Sequence, residues 1–254
     1  MGHLGTLDPF AKGLLVLVVG RATRLAPFAA GWPKIYEGVI RLGITTDTDD
    51  LTGTVVATAP WTGITPAQLA EVVGSFRGVY EQRPPAYSAV KIAGERAYRR
   101  ARRGERVEPE PRQVEIRELE IVEAAVPDLR FRATVSAGTY LRSLARDIGA
   151  KLGCGAHLTA LRRTAVGPLR LVDAVAPEAV TRAALQDAAV LVAHLPRCQV
   201  DSKERDAVVH GRPVPGVREP GTENRIAIFC GEELIAIAKQ EGELLKPRVV
   251  VAED

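Results

Sequence analysis

The stretch Gly2-His3-Leu4-Gly5-Thr6-Leu7-Asp8-Pro9 combines two glycines with a carboxylate held just before a proline. Glycine lets the backbone turn tightly or approach a ligand closely. The proline restricts Asp8 to extended or turn geometry. A carboxylate fixed in this way can attack an electrophilic centre or stabilise developing positive charge. The same residues also suit an ordinary turn in which Asp8 bonds to its own backbone. A second group is Ser136-Ala137-Gly138-Thr139-Tyr140-Leu141-Arg142. If this piece is locally extended, Tyr140 and Arg142 share a face. In an ordinary helix cap, Arg142 instead lies along the helix surface. Arginine is always charged and can grip a carboxylate with two parallel bonds.

A third group runs from Pro84-Pro85 to Arg103. In a helix over 94–103, Arg96, Arg99, Arg100 and Arg103 form one stripe, with Arg102 and Arg106 beside it. Only Glu95 and Glu105 offset this charge locally. Such a stripe is either a solvated face or a grip for anions, and phosphates are the obvious anions. The net charge of +3 does not by itself argue for a polyanion partner, but this local concentration does. Asp47, Asp49 and Asp50 invite a metal, yet the calcium-loop pattern, with its glutamate at the twelfth position, is missing. The histidines have no ligand spacing. Cys154, Cys198 and Cys230 contain no CxxC pair, so neither a zinc site nor a disulfide framework is expected, and a reducing cytoplasm is the expected compartment. No apolar run reaches the roughly 18 residues that a membrane helix requires, and the opening residues do not read as a signal peptide.

The elements that must position these groups follow from periodicity. Residues 14–20 and 35–43 read as strands, with a turn-rich loop from 47 to 53 and a returning strand at 55–57. Thr65-Pro66-Ala67-Gln68 has the cap, the proline and the glutamine of a helix start, and the helix is expected to run to about residue 75. Alternation predicts antiparallel strands over 114–123 and 129–135, then a helix from 139 to 152. Residues 177–193 are expected to add at least one helix. Beyond Pro196 the composition shifts to short strands at 225–230, 234–238 and 247–251, punctuated by Gly211, Pro213, Pro215, Gly216, Pro220 and Gly221. The fold class is α+β: a mixed or antiparallel sheet flanked by helices, followed by a small β-rich module. The expected division is 1–196 and 197–254, with an insertion at about 84–112.

Taken together the motifs resemble the bacterial tRNA pseudouridine synthase B (TruB) family. Gly2 to Pro9 matches that family's G-H-x-G-x-L-D-P signature. Lys34-Ile35-Tyr36 matches its K-x-Y element, and Arg41-Leu42-Gly43 with Thr46-Asp47-Thr48 and Asp50 matches the next. Pro85, Tyr87-Ser88-Ala89 and Lys91, with Gly94 and Ala97-Tyr98, match a further motif. Gly138-Thr139-Tyr140 with Arg142, Asp147-Ile148-Gly149, Leu152 through Leu158, and Leu161-Arg162-Arg163 complete the series. The resemblance covers nearly the whole chain, in order. It departs at the start: family members carry a longer segment ahead of the signature, including a strand ending in Lys-Pro. A chain lacking that segment is expected to lose an anchor for its catalytic loop.

The resemblance implies a pseudouridine-synthase fold with a C-terminal PUA-like domain. It implies isomerisation of the T-arm uridine at tRNA position 55 by a monomer, without cofactor or metal and away from membranes. Asp8 would be the attacking carboxylate, paired with Arg142. Tyr36 would stack on the extruded base, and Leu161 would pack against the base or Tyr36. Tyr140 would receive or relay the C5 proton. His3 would contact RNA near the extruded nucleotide, and Asp50 would orient neighbouring groups. Lys91, Arg96, Arg99, Arg100 and Arg103 would grip phosphates from the insertion. The alternative is a tRNA-binding or tRNA-folding protein of the same fold without catalysis.

Overall fold

The computed structural model describes residues 1–92, 94–216 and 224–253. Pro220 and Gly221, read above as punctuation, lie outside them. The chain divides into two units, each described by itself. One comprises Thr6–Leu15 and Trp32–Ala174; the other comprises Met1–Gly5, Val16–Gly31 and Val175–Asp254.

The first unit is built on a seven-stranded sheet. Its order is Leu169–Arg170, Ala156–Val166, Lys34–Leu42, Asp128–Val135, Arg112–Ala125 and Gly78–Gln82, and Lys12–Gly13 also pairs with Ala156–Val166. That last pairing is parallel; the others are antiparallel. The two expected strands at 114–123 and 129–135 form this antiparallel pair. Leu129, Phe131, Ala133 and Val135 are buried on one face, as the alternation requires. In Lys34–Leu42, the strand between them and Ala156–Val166, Tyr36, Ile40 and Leu42 are buried on the core side.

Two helices contribute to the same core. Pro66–Gly74 begins with the expected capping box, Thr65 with Gln68, and buries Leu69 and Val73. Leu141–Lys151 buries Leu141, Leu144, Ala145 and Ile148, the i, i+3, i+4, i+7 stripe of an amphipathic helix. Tyr140 is its N-cap, in extended geometry and without a side-chain cap bond. These helices pack with Phe131, Ile116, Leu119 and Leu158 in one cluster.

The structure revises several expectations. The apolar run 14–20 is a strand only at Leu17–Val18. Leu15, Leu17 and Val19 are largely exposed, while Leu14 and Val18 are buried, so the run is a connector with single anchors. Within 94–103, Gly94 adopts a positive φ of 87° and turns a hairpin between Lys91–Ile92 and Glu95–Arg96, so the helix spans only Ala97–Arg102. Residues 177–193 form three short 3-10 turns instead of a helix, with Val180 and Leu185 exposed and no continuous apolar stripe. The strand Ala156–Val166 was not foreseen. Two register shifts interrupt its pairing, and they break the alternation that would have marked it.

The second unit carries a five-stranded sheet in the order Arg197–Gln199, Arg225–Cys230, Glu233–Glu241, Leu244–Val250 and Val214–Pro215. Three of these are the β-rich stretches expected after Pro196. An unforeseen helix, Ser202–Val209, is opened by a capping box between Asp201 and Glu204. Val208 of that helix and Ile226, Ile228, Ile235 and Leu245 of the sheet form the unit's core. Gly2–His3 pairs with Leu17–Val18 in a separate two-stranded sheet.

Candidate active site

The loop bearing Asp8 is held at both ends by one strand. The carbonyl of Asp8 accepts the Ala11 N–H at 2.9 Å, closing a turn, and the Leu14 N–H donates to the Arg163 carbonyl at 2.8 Å. The Arg163 side chain, among the most buried large side chains, returns to the same loop. Its Nε donates to the Leu14 carbonyl at 2.8 Å and its Nη1 to the Thr6 carbonyl at 3.4 Å. It also hydrogen-bonds the phenol of Tyr36. Gly13 fits here because it has no side chain: a Cβ would stand 2.3 Å from the Arg163 carbonyl oxygen, at a φ of +97°.

Asp8 meets Arg142 in a two-point pair. Arg142 Nε donates to Asp8 Oδ2 at 3.0 Å and Nη2 to Oδ1 at 2.7 Å. Nη1 donates to the Thr48 carbonyl at 3.1 Å, and Nη2 also donates to the Tyr87 carbonyl at 3.0 Å. Nη1 lies 3.5 Å from Asp50 Oδ2. The guanidinium is therefore surrounded by acceptors from three segments. Its side chain is 5% exposed, whereas that of Asp8 keeps 25%. One carboxylate thus stays reachable on a fully engaged cation.

Asp50 is itself fixed. Its Oδ1 accepts from Thr48 Oγ1 at 2.8 Å, Thr52 N at 2.9 Å and Thr52 Oγ1 at 2.6 Å. The preceding Asp49 has a positive φ of 59° and pairs with Arg146 at 3.0 Å. Arg146, one helical turn after Arg142, also contacts Asp147 at 2.9 Å and the Arg83 carbonyl at 2.8 Å. Burial pushes the Asp49 carboxyl up to about 6, although Arg146 and Arg142 oppose the shift. Burial also raises Asp147. Tyr36 is raised by burial and lowered by Arg163. Lys34 donates to the Trp32 carbonyl at 3.1 Å; burial and the nearby Arg163 charge lower its ammonium pKa.

The remaining sequence candidates fall into three groups. Tyr36 and Leu161 are buried in the same core cluster. Tyr140 is half-buried, with its ring 4.9 Å beneath the Arg112 guanidinium and its main chain bonded to the side chain of Gln82. His3 belongs to the other unit, where it is exposed and its Nδ1 accepts the Gly5 N–H at 3.3 Å. Lys91, Arg96 and Arg99 are exposed on the insertion, whose own small core is Ala97, Ala101 and Val107. Two members of the expected arginine stripe already have anions. Arg103 pairs with Glu95 at 2.6 Å and with Glu105 at 2.7 Å, and Arg100 pairs with Glu105 at 2.7 Å.

Sequence reasoning overlooked Gln82, Asp49 with Arg146, and the structural part of Arg163. The face that Arg163 shares with Leu161 was hidden together with the unforeseen strand that carries them both. Among the described residues, no three His, Cys, Asp or Glu side chains group as metal ligands, and no helix is long and apolar enough to cross a membrane.

Comparison with known proteins gives consistent matches. The profile of the TruB family pseudouridylate synthase (N terminal domain) matches residues 1–141. That of the tRNA pseudouridylate synthase B C-terminal domain matches residues 142–202. The tRNA pseudouridine synthase B of Azoarcus sp. (strain BH72) is 40% identical over 259 residues, spanning 99% of this chain and 85% of the relative. That of Thermobifida fusca (strain YX) is 40% identical over 263 residues, spanning 99% and 89%. Among solved structures, a Cbf5-Nop10-Gar1 complex matches with a TM-score of 0.73 at 27% identity, over 99% of this chain and 76% of the matched one.

Proposed function

The chain belongs to the TruB family of pseudouridylate synthases, and from that premise we propose that it converts the T-arm uridine at position 55 of tRNA to pseudouridine, with Asp8 as the attacking carboxylate. The reaction breaks the bond between the ribose C1′ and the base N1, turns the base and joins C1′ to C5. N1 gains a proton and C5 loses one, so the net change is an isomerisation that consumes no co-reactant. The residues must hold a detached base, exclude water and supply one ionised carboxylate.

The bidentate Asp8–Arg142 pair carries this reading. The Arg142 guanidinium meets the Asp8 carboxylate as an opposite charge at two points, and two-point contact fixes the direction in which that carboxylate is presented. Asp8 attacks the sugar or the base; both routes need the same ionised, aimed group. Tyr36 and Leu161 wall the base, stacking being the usual way in which proteins hold an unpaired nucleobase. Tyr140 takes the C5 proton. Asp50 holds the far side of Arg142. His3 meets the RNA beside the extruded nucleotide. Extrusion costs a few kcal/mol, which phosphate contacts from Lys91, Arg96 and Arg99 offset, with Arg100 and Arg103 contributing less because they pair with Glu95 and Glu105. The PUA-like C-terminal module extends the RNA contact.

Asp8→Asn is the test. Asparagine keeps the size but replaces one acceptor oxygen with an NH2 group facing Arg142. Pseudouridine formation on a T-arm stem-loop should disappear, with tRNA binding retained and the protein still folded at the assay temperature. Turnover by a folded Asp8→Asn protein would remove the attacking-carboxylate assignment. An inactive parent that still binds tRNA would favour the non-catalytic alternative.

A further inference from the structure

We propose that Gln82 is a positioning residue for the reaction: its carboxamide locks the Tyr140 peptide and joins the root of the arginine-rich insertion to the helix that carries Arg142. This inference rests on the reading of Tyr140 and Arg142 given above.

Gln82 is the last residue of the strand Gly78–Gln82 and is fully buried. Its Oε1 accepts the Tyr140 N–H at 2.8 Å and its Nε2 donates to the Tyr140 carbonyl at 3.1 Å. Nε2 also donates to the Tyr80 hydroxyl. One side chain therefore satisfies both polar atoms of the residue at the helix N-cap. Tyr140 has no side-chain cap of its own, and its carbonyl already accepts the Leu144 N–H as the first helical bond. A planar carboxamide offers a donor and an acceptor at the right separation; an apolar side chain offers neither.

The segment that follows repeats the attachment. The Arg83 carbonyl accepts from Ser143 Oγ at 2.8 Å and from Arg146 Nη2 at 2.8 Å. The Tyr87 carbonyl accepts from Arg142 Nη2 at 3.0 Å, the same nitrogen that holds Asp8 Oδ1 at 2.7 Å. Residues 82 to 87 thus touch positions 140, 142, 143 and 146, and they lead directly into the insertion. On the other side, Arg112 pairs in register with Gln82 and lies over the Tyr140 ring. Tyr140 is held through its main chain by Gln82 and across its ring by Arg112. Displacing the Gln82 contact shifts the Tyr140 ring and the start of the helix, and with them the aim of Arg142.

Gln82→Glu and Gln82→Met separate positioning from bulk stability. The glutamic acid side chain has the same shape and, when protonated, keeps one donor and one acceptor. When ionised it presents only acceptors, one of them to the Tyr140 carbonyl. Burial favours its protonated form. Its hydrogen-bond partner Tyr80 in turn feels the charges of Asp147 and Arg146 on the helix, and Arg112 is its neighbour across the sheet. Single-turnover pseudouridine formation should be measured from pH 5.5 to 8.5 and divided at each pH by the parent rate, with tRNA Kd measured alongside. The Gln82→Glu ratio should lie within about threefold of unity at pH 5.5 and fall at least tenfold by pH 8.5, with Kd within twofold. Gln82→Met should be at least tenfold slower at every pH, again with unchanged Kd. A Gln82→Glu ratio that is flat with pH, or rates that fall only in step with Kd or melting temperature, would overturn the positioning role. A parent chain without turnover would instead sink the underlying reading of the site.

Discussion

Arg142→Lys is the sharpest test of how the candidate site holds its carboxylate. Arginine has five N–H donors. Here they face the two Asp8 oxygens, the Thr48 and Tyr87 carbonyls and Asp50. A lysine ammonium has three donors around one nitrogen, so at least two of these partners lose their bond. The two-point grip on Asp8 goes too, because one nitrogen cannot reproduce the parallel fork. Each lost bond to a charged group costs about 1.5–3 kcal/mol when the partner is buried. Asp8 is a quarter exposed, so water compensates part of its loss. About 2–4 kcal/mol of transition-state stabilisation should remain missing, which slows the reaction roughly 30- to 1,000-fold. The positive charge is retained and the side chain is buried away from phosphates, so RNA affinity should change less than twofold. Single-turnover rates on a T-arm stem-loop, with enzyme in excess, measure the first quantity, and filter binding measures the second. A folded variant within threefold of the parent rate, or one whose rate loss is matched by lost affinity, would refute the argument.

Two further outcomes follow from the electrostatics. Asp49, moved from its ordinary 3.8 to about 6 by burial, favours folding in its protonated form, so its contribution is greatest below pH 4 and is lost as pH rises through 6; the difference is about 3 kcal/mol. Asp49→Asn, which cannot ionise, should therefore be more stable than the parent in urea at pH 7.5 by up to that amount, with the gap closing towards pH 4; a gap independent of pH would show that Asp49 is not held in this way. On the insertion, Arg96→Gln with Arg99→Gln should flatten the plot of log affinity against log salt by roughly 0.7–0.9 per phosphate contact removed, while Arg103→Gln should change it less, since Arg103 already faces Glu95 and Glu105; equal slopes for the two would mean that those carboxylates release Arg103 on binding.

What the sequence disclosed depended on whether a residue's role was local. The capping box at Thr65 and Gln68 is complete within one turn, and it is present as read. The alternation of Leu129, Phe131, Ala133 and Val135 reports one buried face, and it too survives folding. The Asp8 loop and the Tyr140–Arg142 junction stood out because glycine, proline and arginine at fixed spacing carry their own geometric meaning. Ala156–Val166 was invisible because its two register shifts scramble the two-residue period. Gln82 was invisible for another reason: its partner is a main-chain peptide 58 positions away, and a backbone amide leaves no mark in the side-chain pattern.

Burial explains why counting arginines could not sort them. Arg142 and Arg163 are 4% and 1% exposed, and each addresses main-chain carbonyls; Arg142 adds two carboxylates and Arg163 the Tyr36 phenol. Arg96, Arg99 and Arg102 are exposed, and their charge is available to a polyanion. A buried guanidinium that loses a partner leaves an uncompensated charge, at a cost of about 3–5 kcal/mol, whereas an exposed one is resolvated. The two sets therefore fail differently: substitutions in the buried set should disturb loop geometry and rate, and substitutions in the exposed set should disturb affinity and its salt dependence. Arg146 bridges them. It is partly exposed at 28%, holds Asp49 and Asp147, and reaches the Arg83 carbonyl at the foot of the insertion. The same turn of helix thus ties the loop that fixes Asp50 to the segment that enters the arginine-rich insertion, and the sequence, read as separate motifs, could not show that the two are joined.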